Sequence, residues 1–240
     1  MSDPRAALRT EDRRLDTIMK KGLGSRYRVR YYDAFSRVYD RFVAAHSSDR
    51  EGRLRETLAE RSGLLPDARA LDLCTGTGAM LPSLLRRTGT RGLVVGLDFS
   101  RGMLGQARRR LGGRPGVALV RAEAERLPFR AGCFDAVTCS HAFYELKGDG
   151  AERALAEVRR TLRPGGSFLM MEHEVPTRPL VRLLFYVRLL SMGLRKAREV
   201  LGNEEALFRR HFQAVERVAT DTGRSKIIVG SAPRGPSAVA

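Results

Sequence analysis

Short apolar runs alternate with stretches of helical periodicity through the middle of the chain. Strands are predicted at Ala70–Leu73, Leu93–Leu97, Val117–Arg121, Phe134–Cys139 and Ser167–Glu172, because brief, continuously apolar runs suit strands buried on both faces. Between them, helical spacing predicts helices over Ala79–Arg87, from a cap at Ser100 to Leu111, and over Gly150–Leu162, with a Pro164-Gly165-Gly166 turn leading into the fifth strand. Strand–helix alternation of this kind implies a parallel sheet covered by helices on both faces. Upstream, Tyr31, Tyr32, Phe35, Val38, Tyr39 and Phe42 recur at helical spacing, and a second helix is predicted over Arg50–Ser62, so residues 27–62 read as a helical cap. Residues 1–25 carry mixed charge and few large apolar groups, the pattern of a mobile arm.

Downstream, Leu180–Leu194 holds 11 apolar residues in 15, and Arg188, Arg195 and Arg198 fall within one arc of a helix. Such a segment can be a helix buried on the sheet or a lid over a substrate pocket, and a helical lid is predicted over about 176–212. Asn203 predicts an N-cap for a helix to Phe212. Val215–Thr220 and Lys226–Val229 predict a closing antiparallel hairpin around Asp221-Thr222-Gly223. The expected fold is α/β: one doubly wound domain over 26–240, with a mostly parallel seven-stranded sheet and a C-terminal hairpin.

The chemistry is concentrated in ALDLCTGTGAM, Ala70 to Met80, and in VVGLDFS, where Asp98 follows Gly78 by 20 residues. A strand running into a glycine turn and a helix, then a second strand ending on a carboxylate, is the layout of a nucleotide-binding βαβ unit. Glycines allow close backbone approach to a ligand, and an acid at the tip of the second strand can accept from ribose hydroxyls. The dinucleotide fingerprint would need a third glycine where this chain has Leu81. The pattern is instead Asp-x-Cys-x-Gly-x-Gly, at Asp72, Cys74, Gly76 and Gly78.

That pattern resembles motif I of the class I S-adenosylmethionine-dependent methyltransferases, whose fold is Rossmann-like. Further likeness covers about residues 35 to 190. DFSRGML is similar to the family's second motif, RAEAERLPFRAGCFDAV to the "DAExLPFxxxxFDxV" signature of the ubiquinone/menaquinone methyltransferase-like group, and LRPGGSFLMME to the stretch before strand five. The resemblance implies S-adenosylmethionine as cofactor. By it, Asp72, Cys74, Gly76 and Gly78 meet the amino-acid end, Asp98 holds the ribose, Phe99 and Met103 pack on the adenine, and Glu123 meets its amino group. Ala124 and Ser140 join the same wall, and Tyr39, in a "YD" pair ahead of the core, lies near the cofactor or simply packs its helix.

Ligands meet an open α/β sheet at its carboxyl edge, which selects His141 and Tyr144 after strand four and His173 after strand five as catalytic candidates. His141 either lines the site or is structural. His173 is a base or a solvated histidine between Glu172 and Glu174, where neighbouring carboxylates favour its charged form. No metal is expected, since adjacent strand residues alternate faces and Glu172-His173-Glu174 cannot converge on one ion.

Composition adds a compartment and a partner question. No apolar run reaches the ~20 residues of a membrane span, no signal-peptide pattern is visible, and Cys74, Cys133 and Cys139 form no CxxC pair. A cytoplasmic protein is expected. The net charge of +17 rests on 39 Arg against 5 Lys, a skew that a GC-rich genome can produce as well as an anionic partner. It suits peripheral contact with an anionic membrane better than nucleic acid, because SHAFYE, Ser140 to Glu145, lacks the Asn/Asp-Pro-Pro-aromatic run of base-amine methyltransferases. The quinone enzymes' Gly-hydrophobic-Arg-Asn loop after strand four is replaced here by that same run. The expected acceptor is a small, lipophilic molecule, with C-methylation of a quinol-type aromatic as the first reading and N- or O-methylation of another metabolite or a phospholipid head group as the second. Oligomeric state is not indicated.

Overall fold

Residues 31–33, 36, 52–111, 113–143, 146, 149–174, 194–220 and 225–234 are described by a computed structural model. Its elements run α1 (Arg53–Arg61), β1 (Arg69–Leu73), α2 (Leu81–Thr88), β2 (Leu93–Asp98), α3 (Arg101–Leu111), β3 (Val117–Arg121), β4 (Phe134–Ser140), α4 (Gly150–Thr161), β5 (Leu162–His173), α5 (Leu194–His211), β6 (Phe212–Ala219) and β7 (Ser225–Pro233). The seven strands form one sheet in the order β3-β2-β1-β4-β5-β7-β6. Strands β1 to β5 are parallel. β7 enters antiparallel between β5 and β6, as the expected hairpin.

Strand period sorts the core into two layers. Leu71, Leu73, Val137, Cys139, Phe168 and Met170 face one side, packed with Leu155 and Val158 of α4 and Phe208 of α5. Their alternates Ala70, Val94, Ala136, Leu169 and Met171 face the other side, with Leu58 of α1, Leu81 and Leu84 of α2 and Leu111 of α3. Burying a side chain of this size stabilises by about 1.5–3 kcal/mol, so both sheet faces contribute and neither helix layer is dispensable.

Two departures from the sequence expectation come from contacts between elements. β5 begins at Leu162, because its pairing with β4 continues across a bulge: Phe134 partners Leu162 and Ala136 partners Ser167. Pro164-Gly165-Gly166 fills the bulge, with Gly165 at φ 80, where a separate turn was expected. Asn203 is not a cap but an exposed residue inside α5. Buried Glu204, Phe208 and His211 form one face of that helix, and tertiary packing of such a face outweighs a local capping signal. The C-terminal half of α5, within the range expected for the lid, thus packs on the sheet, while residues 175–193, about half of that range, lie outside the described residues, as does the arm over 1–25. Among the described residues no helix is long and apolar enough to cross a membrane.

Candidate active site

Parallel strands ending at one sheet edge converge the ends of β1, β2 and β4 on a single cleft of about 690 Å³, part of it open to solvent. Cys74 and Gly76 from the turn after β1, Asp98, Phe99 and Met103 from the β2–α3 junction, Glu123 and Ala124 after β3, and His141 after β4 all line it. Tyr32, Ala122, Glu125 and Leu146 complete the wall.

The glycine turn is built around two carboxylates. The Gly76 N–H donates to Asp98 Oδ2 at 2.9 Å and the Ser100 N–H to Asp98 Oδ1 at 2.9 Å. Asp98 also lines the cleft, and a carboxylate can accept at about four lone-pair sites. Beneath the turn, Asp72 is 2% exposed and accepts the Thr75 hydroxyl at 2.6 Å and the Thr138 hydroxyl at 2.8 Å. Burial pushes its carboxyl up to about 6 against the pull of those two hydroxyls. Asp72 and Gly78 stand behind the cleft wall rather than on it: a Cβ on Gly78 would lie 3.0 Å from Ala107 Cβ of α3.

Gly76 has φ 55, and a Cβ built on it would meet nothing within 4 Å. Its side-chain direction is therefore open space, as a backbone that cradles a ligand requires. A carboxylate at the cleft, an apolar wall of Phe99 and Met103, and this bare turn together fit the adenosyl group of S-adenosylmethionine. A pyrophosphate would instead meet two anionic groups, Asp98 and Glu123.

Two residues other than glycine bend at this edge with positive φ, Cys74 at 55° and His141 at 52°. Left-handed backbone disfavours side-chain-bearing residues and clusters at functional sites. At His141 the bend is held by its N–H donating to Met171 O at 2.8 Å, and the residue lines the cleft. Next along, Phe143 is core, and its N–H donates to buried Glu172 Oε1 at 2.9 Å. Ser140 closes β4 without lining the cleft, and His173 closes β5 opposite Ser225. Tyr39 and Tyr144 lie outside the described residues.

Sequence reasoning missed Tyr32, Thr75 and Thr138. Thr138 carried a weak signal, as a polar residue between apolar Val137 and Cys139, but its role depends on the β1–β4 register that sets it opposite Asp72. The "LPF" segment has a similar hidden support. Arg160 of α4 donates to Phe129 O at 2.7 Å and Leu127 O at 3.0 Å, while Glu157 accepts the Leu127 N–H at 2.8 Å.

A methyltransferase-domain family model matches residues 70–166. The chain is 32% identical over 197 residues to the ubiquinone/menaquinone biosynthesis C-methyltransferase UbiE of Desulfotalea psychrophila, covering 81% of this chain and 76% of that one. It is 31% identical over 156 residues to the demethylmenaquinone methyltransferase of Staphylococcus aureus (strain MRSA252), covering 65% of this chain and 64% of that one. Among solved structures, a SAM-dependent methyltransferase from Aquifex aeolicus superposes with a TM-score of 0.56 at 19% identity, over 75% of this chain and 93% of that one. With the cofactor cleft at the carboxyl edge of such a sheet, the chain belongs to the class I S-adenosylmethionine-dependent methyltransferases, in the ubiquinone/menaquinone methyltransferase-like group.

Proposed function

We propose that this methyltransferase transfers its methyl group to a ring carbon of a small, lipophilic, quinol-type aromatic. The observation that carries the reading is the likeness to relatives named as ubiquinone/menaquinone and demethylmenaquinone methyltransferases, over 81% and 65% of the chain. Ala142 and Leu146 add apolar surface beside His141, in keeping with an acceptor of low polarity.

Bound S-adenosylmethionine supplies a methyl group already activated on a sulfonium. The chain's task is alignment, which can contribute about 7–11 kcal/mol in well-oriented systems. Asp98 holds the ribose, Phe99 and Met103 pack on the adenine, and Asp72 favours the ammonium end. With the cofactor bound, the activated methyl would be the electrophile for the acceptor's ring carbon, and His141 would take the ring or phenol proton released. A base of this kind is worth about 10²–10⁴-fold. The net charge of +17 supports peripheral contact with an anionic membrane, where such acceptors reside.

A second reading, N- or O-methylation of another metabolite or head group, is favoured by the loop after β4, which lacks the quinone enzymes' Gly-hydrophobic-Arg-Asn run. Purified protein with S-adenosylmethionine and reduced demethylmenaquinone separates the two. The expected product carries one added methyl on the ring carbon, and its yield falls at least a hundredfold in His141→Ala. No turnover of the quinol, together with a one-methyl mass difference in another metabolite between cells with and without the protein, would favour the second reading.

A further inference from the structure

The segment around residues 31–36 is pinned to the cofactor cleft by contacts that neither the family signature nor the chemistry above uses. Asp33 Oδ1 accepts the Ser100 hydroxyl at 2.6 Å and the Gly102 N–H at 2.8 Å, so a carboxylate from far upstream caps the first turn of α3. Ser100 is itself the local N-cap, its Oγ accepting the Met103 N–H at 3.2 Å, and its own N–H is held by Asp98. The hydrogen bonds therefore run unbroken from the ribose acid, through Ser100, to Asp33. Burial alone would raise the Asp33 carboxyl, yet the Ser100 hydroxyl, the Gly102 and Arg101 N–H groups and nearby Arg121 hold it below its ordinary value. An ionised group at a helix N-terminus is favoured by the helix dipole.

Close approach makes this docking specific. A Cβ on Gly102 would come within 2.7 Å of both the Cα and the carbonyl oxygen of Asp33, and 2.8 Å from Ser36 Oγ. The segment thus rests directly on bare helix backbone. Beside Asp33, Tyr32 meets Phe99 edge to face, with ring centroids 5.6 Å apart, and lines the cleft.

We propose that Tyr32 is a cofactor-contacting residue and Asp33 its positioning residue: the Asp33–Ser100–Gly102 latch holds the Tyr32 ring against Phe99, where it covers the adenosyl part of the site. This rests on the cleft being the S-adenosylmethionine site, and not on which acceptor is methylated. An aromatic wall held in place before binding removes the fraction of unlatched molecules from the apparent affinity, since the apparent dissociation constant scales inversely with the competent population.

Gly102→Ala is the sharpest probe, because alanine is the better residue for the helix itself and touches no cofactor. With the full-length protein, the Kd for S-adenosylhomocysteine and the KM for S-adenosylmethionine should rise about tenfold in Gly102→Ala and in Asp33→Ala, as expected when the latched population falls to about a tenth. The kcat at saturating cofactor should stay near wild type, and Asp33→Ala should melt lower only by the few degrees that loss of a helix cap costs. Asp33→Asn, which keeps one acceptor oxygen, should fall between, and Tyr32→Phe should bind like wild type. Tyr32→Ala should lose about as much as Gly102→Ala, and the double variant no more than either, as for two residues acting as one unit. Wild-type Kd in both Gly102→Ala and Asp33→Ala would overturn the latch, as would full additivity of Tyr32→Ala with Gly102→Ala. No binding of either cofactor form by the wild-type protein would instead overturn the cofactor site itself.

Discussion

Asp72→Asn will unfold at higher denaturant concentration than the wild-type protein at pH 7 and will bind S-adenosylmethionine at least about tenfold more weakly. The stability gain follows from the sign of the shift. A carboxyl raised from 3.8 to about 6 in the folded state is bound to its proton between those pH values while the unfolded chain has released it. Stability contributed by Asp72 is therefore full below 3.8, declines as pH rises, and is lost above about 6. The displacement is equivalent to about 3 kcal/mol, of which a neutral amide, still buried and still polar, should recover about 1–2 kcal/mol. The hydroxyls of Thr75 and Thr138 can each donate or accept, so both can adapt to an amide. Urea unfolding of the two proteins from pH 4 to 7 isolates the effect, because carboxylates shifted elsewhere are common to both. The wild-type curve should fall relative to the variant across that window. The affinity loss is expected because the variant removes a buried negative charge behind the glycine turn, whose field would favour the ammonium end of the cofactor through the wall in a medium of low dielectric. Wild-type affinity should also improve as pH rises through about 6, and that dependence should vanish in the variant. Unchanged affinity would reduce Asp72 to a brace for the turn.

Lys226→Met should have the largest effect on stability. The Lys226 ammonium donates to Glu204 Oε2 at 3.0 Å, with both side chains 4% exposed. Glu204 Oε1 is buried with no hydrogen-bond partner among the described residues, and burial already raises the Glu204 carboxyl despite its lysine. Removing the cation strands that carboxylate, at a cost of about 3–5 kcal/mol. For a chain of this size that is a loss of roughly 6–20 °C in melting temperature. Lowering the pH should restore part of it as Glu204 takes up a proton. Replacing Glu204 by leucine as well should restore most of it, since a well-packed apolar pair often equals a buried ion pair. A single variant that melts like wild type at pH 7 would show that water reaches the pair. The pair also bears on the site's edge, because Lys226 is the register partner of Glu172, whose carboxylate anchors the Phe143 loop.

How much of this was legible in the chain depended on whether the signal was local. The Ala70–Met80 turn and Asp98 announced themselves because strand end, glycine turn and helix start are neighbours in sequence, and the structure brings Asp98 to within 2.9 Å of the Gly76 N–H. Ser100 was legible as a cap for the same reason. Supports that cross between elements were not. Thr138 reaches Asp72 only through the register of two strands 66 residues apart, and Asp33 meets Gly102 across 69 residues. Nothing in a helical aromatic pattern distinguishes Tyr32, which reaches the cleft, from its neighbours at the same spacing. Asn203 failed as a cap because its context was tertiary: the face of Glu204, Phe208 and His211 is buried on the sheet, and the helix continues through the local stop. The bulge in β5 arose likewise from pairing with β4, which outweighed a Pro-Gly-Gly signal for a turn.

The cofactor site carries everything else, and one calorimetric titration tests it most directly. Wild-type protein and Asp98→Ala are each titrated with S-adenosylmethionine, and wild type also with NAD. Asp98 lies 5% exposed at the cleft, held by two backbone N–H groups, so if it is the ribose acceptor its loss removes a charged, largely buried partner from the cofactor. Contacts to a charged group of this kind are worth about 1.5–3 kcal/mol, or roughly ten- to a hundredfold in affinity. The expected result is saturable, equimolar binding of S-adenosylmethionine to wild type, most of that affinity lost in Asp98→Ala with its fold retained by circular dichroism, and no heat from NAD. Binding of NAD by wild type, or undiminished S-adenosylmethionine affinity in Asp98→Ala, would contradict the assignment of this cleft.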